Sequence, residues 1–166
     1  GFEVGGIEIK SAHHNNKQHN SQFDDHHARV ETGALLDPFD ENDYEGFRMI
    51  TEQLGKKIRI GGDDLFVTNK EWLKKGIEKG LCNAILIKPN QIGTFYEMLE
   101  TIVLAKQNKY ITILSHRSGE TTDPFIAEAV VALNMPFIKA GSITRGERIA
   151  KYNKLLEIEE ELEQYK

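Results

Sequence analysis

From residue 34 onward, short apolar runs alternate with amphipathic stretches of helical period. A short apolar run bounded by polar residues is typical of a strand buried in a parallel sheet. The repeated order of strand and helix predicts an α/β fold, with parallel strands joined by right-handed crossovers. The five apolar runs are GALL, KIRIG, AILIK, YITIL and PFIKA.

Five helices are predicted between and after these runs, from their periodicity and from residues that begin or end helices. Thr68 or Asn69 can cap the second helix and Gly80 follows its end, while Pro124 suits the first turn of the fourth. The predicted helices span about 42–54, 70–79, 94–108, 123–133 and 145–164.

The first 33 residues differ in composition from the rest of the chain. Residues 2–10, FEVGGIEIK, show the alternation of a short strand. Residues 11–29 are almost wholly polar and are predicted to form a mobile loop or tail. The alternative is metal capture, because neutral imidazoles bind zinc, nickel or copper, but no fixed ligand spacing is evident. The histidines concerned are His13, His14, His19, His26 and His27.

Length and charge limit the remaining possibilities. A chain of 166 residues suits one ordinary domain, and its net charge of -5, with Lys and Arg interspersed among Asp and Glu, argues against a nucleic-acid surface. The one cysteine, Cys82, rules out an internal disulfide and is predicted to be a buried thiol. No apolar run approaches the roughly 20 residues of a membrane span. We therefore predict a cytoplasmic location. A first residue of Gly1 suggests processing or a fragment boundary upstream.

Ionisable side chains follow four of the predicted strands. Each alone would be typical of a solvated loop residue. The carboxyl ends of parallel strands meet at one rim, however, so repetition at intervals of one β-α unit predicts a single pocket. The side chains are Asp63 and Asp64 after IRIGG, Lys88 after AILI, His116 and Arg117 after YITILS, and Lys139 after PFI.

These residue types suit an anionic substrate held with a hard metal ion. Asp63 offers the oxygen ligation that Mg²⁺ prefers. Arg117 can form a forked contact to phosphate, and Ser118 can add a donor. Lys88 ends an apolar strand near other cations, two features that favour the neutral amine a general base requires. The set predicts proton abstraction beside a metal-bound carboxylate.

Four motifs carry a resemblance to a known family. They closely resemble the C-terminal part of enolase, the phosphopyruvate hydratase family of glycolysis. The resemblance covers about residues 34–166, which we take as one domain, with 1–33 as a divergent N-terminal segment. The motifs are GGDDLFVTN (61–69), ILIKPNQIGT (85–94), LSHRSGETTDPFIAEAVVAL (114–133) and IKAGSITRGERIAKYNKLLEIEEEL (138–162).

The resemblance implies the later half of a (β/α)8 TIM-type barrel and a magnesium-dependent lyase that dehydrates 2-phosphoglycerate to phosphoenolpyruvate. It implies that Asp63 is a magnesium ligand in contact with substrate and that Lys88 is the general base. It further implies that Lys139 contacts the substrate carboxylate. The loop at Ser115, His116, Arg117 and Ser118 is implied to bind substrate, with Arg117 and Ser118 on its phosphate.

The chain departs from the family pattern at one metal ligand. Where the family motif EDPF carries a glutamate ligand, this chain has Leu36, and regular strand alternation would turn Asp37 away from the site. Glu8 aligns weakly with another metal ligand. The N-terminal domain, the first barrel strands and the acidic residues that assist departure of the hydroxyl have no counterpart. We therefore expect little or no turnover from residues 1–166 alone.

Half a barrel leaves an open sheet edge, which favours pairing with another chain. We expect self-association or assembly with a missing N-terminal half. The alternative function is a non-catalytic enolase-like module that binds a phospho-carboxylate or a protein. The family is reported at cell surfaces, where it binds plasminogen partly through a C-terminal lysine, and this chain ends in Lys166. A secreted or cell-surface location accompanies that alternative.

Overall fold

The computed structural model of the chain describes residues 34–165. The predicted strand at 2–10, the histidines at 13–27, Glu8 and Lys166 lie outside the described residues. Strands and helices alternate along the described part. The strands are β1 (Ala34–Leu36), β2 (Arg59–Gly62), β3 (Ala84–Ile87), β4 (Ile111–Ser115) and β5 (Phe137–Lys139). The helices are α1 (Tyr44–Leu54), α2 (Lys70–Lys79), α3 (Pro89–Ile92), α4 (Phe95–Gln107), α5 (Phe125–Ala132) and α6 (Gly146–Glu163).

The five strands form one parallel sheet in the order β1-β2-β3-β4-β5. Each strand therefore pairs with the next along the chain, as in a barrel in which each crossover helix returns the chain to the adjacent position. The register aligns Ile87 with Leu114 and Ser115 with Lys139, so the ends of β3, β4 and β5 lie level with one another. The sheet is a half-barrel, and the predicted partial (β/α)8 fold is confirmed.

The helices match the predicted ranges to within a few residues. Asn69, rather than Thr68, caps α2, because its side chain accepts hydrogen bonds from the amides of Glu71 and Trp72. Gly80 ends that helix at φ 69°, a conformation that glycine adopts without steric cost. The short helix α3 was not predicted, since four residues cannot show a helical period.

The main core lies between the sheet and the helices. Parallel strands are covered by their crossover helices on that side, and β3 is buried along its whole length. Phe47 of α1, Leu73 of α2 and Met98 of α4 are fully buried there. Cys82 belongs to the same core and is 4% exposed, which confirms the predicted buried thiol.

The opposite face of the sheet, which would line a barrel, carries a smaller apolar cluster. Ala84, Leu86 and Ile113 are buried, and Ile111 and Phe137 are partly buried against them. The guanidinium of Arg59 lies 4.4 Å from the centre of the Phe137 ring, covering it from one side. At the carboxyl ends of the strands, this inner face borders the rim that carries the ionisable residues. Among helices in the described part, none combines the length and apolar character required to cross a bilayer.

Candidate active site at the carboxyl ends of the strands

An ion pair between Asp63 and Lys88 lies at the centre of the rim. Asp63 follows β2 and Lys88 follows β3, and Lys88 Nζ donates a hydrogen bond of 2.6 Å to Asp63 Oδ2. Both side chains are mostly buried, with 15% of Lys88 and 14% of Asp63 exposed. The structure thus brings the predicted base and the predicted metal ligand into direct contact.

Lys88 is held in place by the loop that precedes α2. Its backbone amide donates to Thr68 Oγ1 at 2.9 Å, and the Thr68 hydroxyl donates in turn to Gln91 Oε1. Thr68 is fully buried, and its carbonyl oxygen accepts from the Thr101 hydroxyl of α4. Thr68 is therefore a link between β3 and α4 rather than the cap that was one of two predictions.

Three carboxylates meet beside the ion pair. Asp37, Asp63 and Asp64 each place an oxygen within 4.8 Å of the others. Asp37 was predicted to turn away, and that prediction is wrong. Its φ of 44° departs from strand geometry, and its two oxygens accept hydrogen bonds from the amides of Asp63 and Asp64 at 2.8 and 2.9 Å. Burial, opposed by these two bonds, raises the pKa of Asp37.

The donor set fits a hard divalent cation. Asp63 Oδ1 is buried and lies 2.6 Å from Lys88 Nζ, but in a geometry that makes no hydrogen bond, so the hydrogen-bonding capacity of this oxygen is unused within the described residues. Carboxylate oxygens are the ligands that Mg²⁺ prefers, with water and substrate completing its shell. Because Lys88 Nζ contacts the same carboxylate, the lysine ammonium and a metal ion would compete for Asp63.

Leu36 occupies the inner face next to this cluster. A Cβ atom added to Gly61 would lie 2.5 Å from Leu36 Cδ2, so the leucine side chain covers the glycine of the neighbouring strand. Leu36 is 37% exposed and supplies no oxygen. The apolar side chain thus lies on the site face of the sheet, and position 36 adds no carboxylate to the cluster.

The predicted site residues in the loop after β4 differ in how deeply they are buried. Ser115 is 1% exposed and its hydroxyl donates to the His116 carbonyl oxygen, so it supports the loop from within. Arg117 is partly buried and Ser118 is exposed. Arg117 Nη1 donates to Asn90 Oδ1 of α3 at 3.2 Å, which connects the two loops above β3 and β4.

His116 is tied to β5. Its backbone amide and its Nδ1 atom both lie 2.8 Å from the Lys139 carbonyl oxygen, so Nδ1 carries the proton and Nε2 has the free lone pair. Burial is the main cause that lowers the pKa of His116, and the positive charges of Arg148 and Lys139 add to it. A neutral imidazole therefore lies beside the cationic residues of the rim.

Lys139 ends β5 opposite Ser115. Within residues 34–165, no hydrogen bond or ion pair engages its ammonium group. Lys139, the last residue of β5, and Arg117, in the loop after β4, thus place two cationic groups at the carboxyl ends of adjacent strands. Two cationic groups at one rim suit a ligand with two anionic groups, such as a phosphorylated carboxylic acid.

Two residues of the site are missed by reasoning from the sequence. Asp37 is missed because regular strand alternation turns it away, and Asn90 because a single amide in a motif carries no pattern of its own. The motif KPNQIGT contains the only signal for Asn90, since Asn90 lies two residues after the predicted base. Distance in sequence hides both contacts: Asp37 lies 26 residues from Asp63, and Asn90 lies 27 from Arg117.

Comparison with known proteins agrees with this geometry. The family model described as enolase, C-terminal TIM barrel domain, matches residues 8–166. Over 129 residues, which are 78% of its length, this chain is 58% identical to an enolase of a Nitratiruptor species and 59% identical to one of Helicobacter pylori (strain Shi470). The chain spans 31% and 30% of the length of those two relatives. From its motifs, its half-barrel and these matches, the chain belongs to the enolase family and carries sequence of that family's C-terminal barrel domain.

Proposed function

We propose that this chain carries the base and the substrate contacts of a phosphopyruvate hydratase, which dehydrates 2-phosphoglycerate to phosphoenolpyruvate in glycolysis in the cytoplasm. One observation supports this most strongly. The Asp63 and Lys88 side chains touch at the rim, and Lys139 lies on the same rim without a partner in the described part of the chain. A base, an oxygen ligand and a free cation together suit an acidic, phosphorylated substrate.

The chemistry follows from the weak acidity of a proton next to a carboxylate. Removing it builds a second negative charge, which only nearby cations make feasible. Lys88 Nζ accepts the substrate proton as general base, after it has left Asp63 and has given up its own proton to solvent. Lys139 offsets the charge on the substrate carboxylate, and Arg117 with Ser118 holds its phosphate. Magnesium ions held at Asp63, when bound, would stabilise the developing charge as Lewis acids.

The dehydration belongs to a more complete protein than these 166 residues. The chain spans about 30% of the length of its relatives. The resemblance to the family implies that the acidic residues that assist departure of the hydroxyl lie in the part that the chain does not span. We propose that a second copy or an upstream half completes the barrel, and that residues 1–166 alone give little or no turnover.

The binding part of the proposal can be tested on the chain by itself. Calorimetry with 2-phosphoglycerate and Mg²⁺ is expected to show binding that falls about tenfold or more in Arg117→Met, because a charge-assisted contact to phosphate is lost. Arg48→Met is the matched control, since Arg48 pairs with Glu45 and Glu52 on the exposed side of α1. Absence of binding in the unaltered chain would contradict the proposal. Any phosphoenolpyruvate formed must disappear in Lys88→Ala.

Leu36 favours a second function, a non-catalytic enolase-like module that binds a phospho-carboxylate. A leucine on the site face leaves Asp63 without the glutamate of the family motif, so metal binding is weakened while Arg117 and Lys139 remain. Binding of 2-phosphoglycerate without turnover in the completed protein would support this module over the enzyme. Contact with plasminogen through Lys166 stays a prediction, because that residue lies outside the described part.

A further inference from the structure

Lys151 is a buried charged residue in α6. Its side chain is 1% exposed, whereas lysine is seldom buried unless it is paired. Its Nζ donates hydrogen bonds to the Thr121 carbonyl oxygen and, at 2.8 Å, to the Glu147 carbonyl oxygen. The Glu120 carboxylate lies 3.8 Å away. Two of these three groups belong to the loop that connects β4 with α5, so the ammonium joins that loop to the last helix.

Glu120 extends the connection to the predicted phosphate contacts. One of its oxygens lies 3.4 Å from the backbone amide of Arg117, and the other accepts from the amide of Thr121 at 3.1 Å. The carboxylate therefore closes the segment 117–121 into a turn, and the Lys151 ammonium lies beneath that turn. Ser118 and Gly119, at its tip, are exposed. Lys151 and Glu120 thus support from inside a turn whose tip is open to ligands.

A buried ammonium is a poor way to gain stability. Taking the charge out of water is unfavourable, and a well-packed apolar side chain of similar size often serves a core equally well. What the ammonium supplies is direction, because its hydrogen bonds require Thr121 and Glu147 to lie in particular places. Losing it would leave the Glu120 carboxylate and the Thr121 carbonyl without their cation, and a partly buried carboxylate that keeps only its two amide contacts favours opening of the turn.

We propose that Lys151 is a positioning residue that holds the turn 117–121 in the conformation that presents Arg117 and Ser118 to an anion. The proposal rests on the proposed function, in that those two residues contact the phosphate. Lys151 itself acts through Thr121 and Glu120, beneath the turn. Lys151 keeps the turn ordered before a ligand binds.

Hydrogen exchange followed by mass spectrometry on the full 166-residue chain tests this without ligand. In Lys151→Met, exchange of the amides in 115–125 is expected to rise by about tenfold or more, because a hydrogen-bonded charge is removed. Amides of β3 should keep their rate, and Lys151→Arg should restore much of the protection. Lys154→Met is the matched control, since Lys154 lies on the same helix but pairs with Glu128 and Glu157.

Two results would overturn the inference. Unchanged exchange in 115–125 would show that the turn is held by other contacts, and faster exchange throughout β3 would make Lys151 a general element of the fold. Calorimetry with inorganic phosphate separates this from the proposed function: affinity should fall in Lys151→Met and stay constant in Lys154→Met. Failure of the unaltered chain to bind phosphate counts against the proposed function, while the exchange result decides the role of Lys151.

Discussion

Replacing Asp63 and Lys88, singly and together, should reveal a strong coupling between their contributions to the free energy of unfolding. A hydrogen bond to a charged group contributes about 1.5–3 kcal/mol in a protein interior, whereas an exposed ion pair contributes about 0.2–1 kcal/mol. With side chains 14% and 15% exposed and 2.6 Å between the charged atoms, this pair lies near the buried limit. We therefore expect a coupling free energy of about 2 kcal/mol.

The assay is a double-mutant cycle of Asp63→Asn, Lys88→Met and the two combined, unfolded in urea and followed by far-ultraviolet circular dichroism. Each single change leaves a largely buried charge without its partner, so the double variant should be more stable than the sum of the two losses implies. At a urea dependence of about 2 kcal/mol per molar, the coupling corresponds to a midpoint difference of about 1 M.

The pair between Arg48 and Glu52 is the matched control. Its charged atoms are also 2.6 Å apart, but 42% and 61% of the side chains are exposed. Water screens such a pair, so the cycle of Arg48→Met with Glu52→Gln should give a coupling of at most about 0.5 kcal/mol. A coupling below about 0.5 kcal/mol for Asp63 with Lys88 would refute the argument that burial strengthens this contact.

Three further predictions follow from the site and the core. The folded chain lowers the pKa of His116 below its ordinary value of 6.5, so the contribution of His116 to stability should be complete above pH 6.5 and decrease as the pH falls below it. Urea midpoints measured at successive pH values should show this decrease. In His116→Gln, that part of the decrease should be absent. Burial raises the pKa of Cys82, so its reaction with a chromogenic disulfide reagent should be about a hundredfold slower in the folded chain than in urea, and equal rates would contradict its burial. Leu36→Glu should strengthen Mg²⁺ binding about tenfold in calorimetry by adding a carboxylate beside Asp63, with Leu36→Gln as the uncharged control; equal affinity in the two variants would show that position 36 does not reach the metal.

Most of the fold could be predicted from local pattern. The apolar runs marked all five strands, and periodicity with caps marked the five longer helices to within a few residues. The short α3 escaped because it has no period, and Pro124 lies at the N-cap of α5 rather than in its first turn. The boundary proposed between residues 33 and 34 stays a prediction.

The candidate site could be predicted as a set of strand-end residues but not as a set of contacts. That Asp63, Lys88, His116 and Lys139 follow their strands was evident from the runs before them. The partners of these groups were not evident, because side-chain direction depends on backbone angles such as the φ of 44° at Asp37. The roles of the substrate contacts stay predictions.

The sequence by itself determined the alternation of strands and helices, the parallel sheet and the family. These follow from periodicity and from dense motifs, which are properties of residues close together in the chain. Only the tertiary structure decided that Asp63 pairs with Lys88, that Asp37 turns into the cluster and that Lys151 is buried beneath the turn 117–121. The partners in these contacts lie 25 to 30 residues apart, and the pattern around Lys151 does not differ from that of an exposed helical lysine. Burial and pairing of charges are decided where elements pack, and no local pattern records which elements will meet.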